Sequence, residues 1–335
     1  MSLATPSPVI IDLTQQNDGT DNRTLFAQDV RRGLSKKQKT LSSRYFYDGQ
    51  GSQLFQQIMN LPEYYLTRCE HEIFSTHQAA ICRALAQKDF FHLIDLGAGD
   101  ALKTKILLKE LARQEISFAY IPVDISGDAM QSLTENFRTE MPEINLQAVV
   151  GEYFASLAWL HENKPGPKVI MFLGSNIGNF SLTDSIAFLQ GVRRYLQPGD
   201  QLFLGADLRK DPQTILSAYD DAAGVTAEFN LNLLRRINSE LGGNFAVEQF
   251  KHYALYNPLN GAMQSFLISQ VKQEVYIQET GETFYFEAWE AVHTENSHKY
   301  TVSGIEEMAT QSNFRLEMVF YDQHQYFADL LLIAD

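Results

Sequence analysis

His92 to Thr104 reads HLIDLGAGDALKT. The first five residues are mostly apolar and short enough for a buried parallel strand. Gly97-Ala98-Gly99 is a turn, and DALKTKILLKELARQ, from Asp100, carries apolar residues at helical spacing. A strand, a glycine turn and a helix form the unit with which α/β proteins hold a nucleotide-like ligand. Which ligand it holds decides the rest.

A dinucleotide turn wants G-x-G-x-x-G, its third glycine allowing close helix–strand contact. Here Leu102 takes that third position, and Asp100 brings a carboxylate to the helix start that a pyrophosphate would need open. A cationic ligand without phosphate suits this turn better, and S-adenosylmethionine is one. Asp124, closing the next strand in IPVDIS, is placed to accept both ribose hydroxyls, with Asp95 before the turn and Glu152-Tyr153 after the third strand. The plainer alternative is that Gly97 and Gly99 make only a tight turn and Asp124 only caps a helix.

Outward from the turn the pattern alternates. FAYIPVDIS, INLQAVVGEY, KVIMFLGSN and DQLFLGADL read as further strands, separated by helical stretches such as GDAMQSLTENFRTEMP and LTDSIAFLQGVRRYL. That order predicts parallel βαβ units. The alternation then stops. ILSAYDDAAGVTAEFNLNLLRRINSELG is helical, while HYALYN, AMQSFLISQVKQEVYIQ and TFYFEAWEAVHTENSHKYT read as antiparallel strands with a hairpin turn at ETGET. Ser303-x-x-Glu306 predicts a capping box, and FRLEMVFYD and YFADLLLIAD close the chain as a strand pair. The fold class expected is α/β, a Rossmann-like sheet closed by a C-terminal antiparallel hairpin, with a smaller α+β lobe over the carboxyl ends of the strands. The boundaries expected are 69–208 with 300–335 for the first, 20–68 with 209–299 for the second, and a loose arm over 1–19.

Bulk properties narrow the function. The 335 residues carry a formal net charge of −14 and no basic run, which argues against nucleic acid and anionic membranes as partners. No apolar window is long enough for a transmembrane helix and no secretory signal opens the chain, so the cytoplasm is expected. Cys69 and Cys82 form neither a C-x-x-C pair nor a disulfide framework. His293 and His298 are spaced for neither a helix face nor a metal pair, so no metal is expected. A monomer acting on a small zwitterion or uncharged metabolite fits this composition.

The run of motifs resembles the histidine Nα-methyltransferases of ergothioneine biosynthesis, a branch of the class I S-adenosylmethionine-dependent methyltransferases. The similar segments are RYFYDGQGSQLFQQIMNLPEYYLTR, DLGAGDALKT, PVDIS, FLGSNIGNF, LQPGDQLFLGADLRKD, AYDDAAGVTAEFN and TENSHKY, spread over nearly the whole chain beyond the arm. The resemblance implies that Gly97, Gly99 and Lys103 contact the methyl donor, Asp124 holds its ribose, and Glu152 and Tyr153 flank its adenine. It implies that Tyr64, Asn179 and Tyr219 contact the backbone end of an L-histidine acceptor, that Glu295 and Ser297 hold the imidazole, and that Tyr47 lies at the same pocket wall. Amine positioning falls to Tyr47, Asn179 and Tyr219, with no dedicated catalytic base. Three positions depart from the family's pattern: Leu66 where Pro is usual, Asn176 where Thr is frequent, and Ser265 where a larger apolar residue is common. Two other readings stand beside this one, an Nα-methyltransferase for another aromatic amino acid such as tryptophan, and a binding protein that keeps the fold without turnover.

Overall fold

The computed structural model describes residues 9–14 and 22–335. Along the chain the elements are β1 (Val9–Asp12), α1 (Asn22–Leu34), α2 (Gly49–Met59), α3 (Tyr65–Leu85), β2 (Phe90–Leu96), α4 (Thr104–Arg113), β3 (Ser117–Asp124) and α5 (Gly127–Glu140). Next come β4 (Gln147–Val150), α6 (Tyr153–Asn163), β5 (Lys168–Phe172), α7 (Leu182–Arg193), β6 (Gln201–Asp207), α8 (Pro212–Ser217) and α9 (Val225–Leu241). The last are β7 (Phe250–Asn257), β8 (Ala262–Ser269), β9 (Gln273–Ile277), β10 (Glu282–Phe286), β11 (Ala291–His298), α10 (Val302–Thr310), β12 (Phe314–Tyr321) and β13 (Phe327–Ala334). They fall into two compact units. One comprises the described N-terminal stretch with Arg68–Leu208 and Tyr300–Asp335, the other 22–67 with Arg209–Lys299.

The first unit is an eight-stranded sheet in the order β1-β4-β3-β2-β5-β6-β13-β12. β1 to β6 pair in parallel, and β13 runs antiparallel between β6 and β12. Every residue of β5 (KVIMF) and of β6 (QLFLGAD) is buried, as strands covered on both faces must be. The crossover helices bury their apolar stripes in a core that includes Ile94, Ile121, Phe172, Leu189 and Leu330. Two local expectations are corrected. Val9–Asp12 is not part of a loose arm: its β-branched Val-Ile-Ile run suits a sheet edge and pairs with β4, Val9 opposite Gln147. The remainder of the expected arm, 1–8 and 15–19, lies outside the described residues. Helix α10 is capped not by Ser303 but by Thr301, whose extended backbone lets its hydroxyl accept from Gly304 N. Ser303 already lies inside the helix.

The second unit packs α1, α2 and α9 with a three-stranded sheet, β11-β8-β7, and the β9–β10 hairpin. The two long runs read as antiparallel strands each hold two, AMQSFLISQVKQEVYIQ divided between Ser269 and Gln273, the other between Phe286 and Ala291. Within the sheet, alternation sorts the faces: Phe250, His252 and Ala254 are buried while Tyr253 and Leu255 are exposed. The register of β11 on β8 shifts between His293 and Glu295. Before that bulge the buried residues are Val292 and Thr294, and after it they are Ser297 and Lys299. One extra residue has flipped the phase of the strand and re-aimed its last side chains. Among the described residues, no helix is long and apolar enough to cross a membrane.

Candidate active site

The donor-type residues lie in the first unit, at the carboxyl ends of β2, β3 and β4. Gly97 and Gly99 both sit in the left-handed region, φ 75° and 54°, a backbone that side chains resist. A Cβ on Gly97 would stand 2.9 Å from Tyr153 Oη, whereas a Cβ on Gly99 would meet nothing within 4 Å. The first glycine is thus required by packing and the second leaves bare backbone facing open space. Asp124 is tied to the turn, its two carboxylate oxygens accepting from Gly99 N at 3.1 Å and Ser126 N at 3.0 Å. Each oxygen retains acceptor capacity for a hydroxyl. Helix α4 starts at Thr104, later than the helical pattern suggests, because Ala101 also takes a positive φ of 54°.

Glu152 and Tyr153 open α6, Glu152 exposed at its N-cap. The Tyr153 ring meets Phe172 edge-on at 5.6 Å, and burial pushes its phenol above the ordinary value. These residues fit the donor expected from the sequence. A flat glycine backbone, an anchored carboxylate and an aromatic ring at the carboxyl ends of neighbouring strands match a nucleoside that carries no phosphate.

Lys103 is held by a carboxylate that the sequence did not reveal. Glu70 of α3, 1% exposed, is ion-paired with the Lys103 ammonium and accepts from Gly174 N at 2.7 Å. Burial works against that ammonium, but Glu70 outweighs it and holds the lysine above its ordinary pKa. Asp329 of β13 is fully buried, and neither of its carboxyl oxygens has a hydrogen-bond partner among the described residues. Burial first, then the Glu70 carboxylate, push it well above the carboxylate range, which favours the neutral acid. Asp95 accepts from Thr104 Oγ1 at 2.7 Å and Tyr120 Oη at 3.0 Å, and burial raises it to about 6. Asn176, one of the departures from the family's pattern, extends its Nδ2 toward the faces of both Gly97 and Gly174. Asn179, exposed, ends the short helical turn Asn176–Asn179 after β5.

In the second unit Tyr219 Oη and Ser297 Oγ are hydrogen-bonded at 2.8 Å. The Tyr64 ring lies edge-on to that of Tyr219 at 6.3 Å and to Phe55 at 6.2 Å. Tyr47, half exposed, packs edge-on against Phe55 and Phe229. Glu295 precedes Ser297 by two places on the same strand and pairs directly with Ser265 of β8, so those two share a sheet face. Burial lifts the Glu295 carboxyl to about 7, with Lys299 pulling the other way. Tyr219 is fixed from behind as well. His252 Nε2 meets the Tyr219 carbonyl at 2.9 Å and His252 Nδ1 meets Asn230 Nδ2 at 2.9 Å. A carbonyl only accepts, so the imidazole proton sits on Nε2 and Nδ1 accepts from the amide. Burial holds this histidine below its ordinary pKa, consistent with the neutral ring.

The residues missed in the sequence are Glu70, Asp329, His252, Asn230 and Lys299. Glu70 reads there as one more charge on the polar stripe of a helix. His252 and Lys299 do fall on alternating strand positions, but alternation does not say which polar residue turns inward.

A doubly covered parallel sheet, closed by an antiparallel strand and carrying a glycine turn with an acid at the end of the next strand, defines a class I S-adenosylmethionine-dependent methyltransferase. The family model described as "Histidine-specific methyltransferase, SAM-dependent" matches residues 26–334, and the chain belongs to that family. It is 38% identical over 273 residues to a histidine N-alpha-methyltransferase of Mycolicibacterium smegmatis, spanning 82% of this chain and 84% of the relative. The corresponding Mycobacterium tuberculosis protein is 36% identical over the same shares of both chains. Ergothioneine biosynthesis protein 1 of Neurospora crassa is 31% identical over 67% of this chain, but that match spans 27% of the larger fungal protein.

Proposed function

We propose that this protein transfers methyl groups from S-adenosylmethionine to the α-amine of L-histidine, in successive rounds, giving Nα,Nα,Nα-trimethylhistidine (hercynine) as the first step of ergothioneine-type biosynthesis. The observation that carries the reading is the pairing of Glu295 and Ser297 on one strand, the serine bonded to Tyr219, in a chain of the histidine-specific family. A carboxyl and a hydroxyl two places apart offer complementary groups to the two nitrogens of an imidazole ring. In this reading 69–208 with 300–335 bind the donor and 20–68 with 209–299 bind the amino acid. Gly97, Gly99, Lys103, Asp124, Glu152 and Tyr153 serve the first. Tyr47, Tyr64, Asn179, Tyr219, Glu295 and Ser297 serve the amino acid. The protein acts as a cytoplasmic monomer with no nucleic-acid partner, a state that light scattering after size exclusion tests.

S-adenosylmethionine, when bound, supplies a methyl group on a sulfonium, already a strong electrophile, so the chain needs no nucleophile of its own. What the residues do is positional. Asp124 and the Tyr153 ring fix the nucleoside. Tyr64, Tyr219 and Asn179 orient the carboxylate end of the amino acid with neutral donors. Glu295 and Ser297 hold its ring, leaving the amine free to turn its lone pair along the reactive axis. Most of the acceleration comes from that alignment. The amine is chiefly protonated at neutral pH, and its proton passes to water or a tyrosine hydroxyl before attack.

Purified protein incubated with donor and histidine tests the reading by mass. Products heavier by one, two and three methyl groups are expected, and no mass gain rejects it in favour of a binding protein. Ser265, small and directly across from Glu295, supports the second reading, a larger aromatic amino acid as acceptor. Competition between histidine and tryptophan decides between them. Histidine is expected to win in wild type and to lose its advantage in Glu295→Ala.

A further inference from the structure

Lys299 follows β11 on the inward row that the bulge creates and is 1% exposed. Its ammonium donates to Tyr219 Oη at 2.8 Å and to Ser297 Oγ at 2.8 Å, and these two oxygens are themselves 2.8 Å apart. The nitrogen also stands 4.5 Å from the centroid of the Tyr219 ring. Three polar atoms thus form a closed triangle inside the second unit. Taking an ammonium out of water is costly and is tolerated where its hydrogen bonds and charge are answered. Both of its partners are residues that the proposed acceptor site uses.

We propose that Lys299 is a positioning residue of the acceptor site. It locks the Tyr219 and Ser297 side chains into one arrangement and supplies the positive charge that opposes the half-buried Glu295 carboxylate. The inference rests on the acceptor roles given above to Tyr219, Ser297 and Glu295. An ammonium has only donors, so at both oxygens it occupies a lone pair. The backbone of Tyr219 is held from the other side by His252, so with Lys299 on its hydroxyl the ring is fixed at both ends. The charged and titratable groups around this triangle are Tyr219, ahead of α9, Glu295 and His298 on β11, and Arg209, whose Nε donates to the Lys299 carbonyl at 3.3 Å. Lys299 itself is the cation that favours the charged form of Glu295.

Two variants of the full chain, Lys299→Met and Lys299→Arg, test this with three readouts: calorimetric Kd for L-histidine, calorimetric Kd for S-adenosylhomocysteine, and the Glu295 carboxyl titration followed by carbon-13 NMR in ligand-free protein, assigned against Glu295→Gln. For Lys299→Met the expectation is a histidine Kd weakened by about 30-fold or more, the loss typical of breaking a buried charged hydrogen-bond pair. Its S-adenosylhomocysteine Kd should stay close to wild type, and its Glu295 titration should move up by about one pH unit. Lys299→Arg, which keeps the charge, should leave that titration in place and recover part of the histidine affinity. Histidine binding within about threefold of wild type in folded Lys299→Met overturns the proposal, and so does an unmoved Glu295 titration, which would mark a merely structural lysine. If Lys299→Met fails to fold, the arginine variant decides: wild-type histidine affinity overturns the proposal, and weakened affinity with an unmoved titration supports it. Wild-type protein that binds no histidine refutes the substrate reading instead. The ligand-free titration then decides the role of Lys299 by itself.

Discussion

In the proposed function the two units hold their ligands by different means. In the first, backbone does the work: glycines at φ 75° and 54° and a carboxylate, Asp124, fastened by two main-chain N–H groups. In the second, side chains on an antiparallel sheet do it, aimed by a bulge and tied to one another through Lys299. A backbone site depends on local conformation, so a few consecutive residues specify it. A side-chain site depends on register, so residues far apart must fall on one face. The first is the more general device and the second the more selective.

The comparison is broken most directly by a pair of substitutions. Asp124→Ala should weaken S-adenosylhomocysteine binding by about 100-fold, the loss expected if a half-buried carboxylate that accepts from two hydroxyls is removed, and leave histidine binding near wild type. Glu295→Ala should do the reverse to a similar extent, because a site made to hydrogen-bond a ring N–H loses its discrimination without it. Calorimetry with each ligand on both variants checks this, and a variant that weakens both ligands equally would dissolve the distinction. A smaller effect is expected from Gly97→Ala. Its strained φ and the Tyr153 hydroxyl 2.9 Å from the new methyl should cost about 1–3 kcal/mol of stability, read by denaturant unfolding, with histidine affinity unchanged in the folded protein.

A pH dependence belongs to the second unit. The Glu295 carboxyl goes from an ordinary 4.5 to about 7 on folding. Between those values the folded chain keeps a proton that the unfolded chain has lost, so stability falls as pH rises through that window and is level above it. Glu295→Gln removes this dependence. The variant should therefore gain on wild type by about 3 kcal/mol at pH 8 and by far less at pH 5, measured as the difference in Tm at the two pH values. An equal difference at both would show that Glu295 ionises as an exposed carboxylate does.

Much of the first unit was legible in the sequence because its signals are local. The glycine turn is a few consecutive residues, the acid that closes the next strand follows Gly99 by 25, and each strand of the alternation is a short continuous run. What escaped was short or distant. Val9–Asp12 is only four residues and follows a proline-dotted run. Thr301 took the cap from Ser303 because a capping box can be matched two residues late. Glu70 is 33 residues from its partner Lys103 in the chain, and nothing in the pattern of α3 separates it from a solvent-facing charge. In the second unit the acceptor residues were named from family likeness, residue by residue. The bulge that flips the phase of β11, and with it the inward turn of Lys299, has no periodic signature, since it is a break in periodicity.

Gly205 in the middle of β6 has a consequence for how this chain can change. A methyl group there would lie 2.5 Å from Glu70 Oε1 and 3.1 Å from Asp329 Oδ1, in a strand whose every residue is buried. Leu202 and Leu204 can drift among apolar neighbours of similar volume with little loss, but position 205 admits no side chain unless the acid pair beside it is replaced in the same lineage. Three sites separated by more than a hundred positions in the gene are thereby bound to vary together, or not at all.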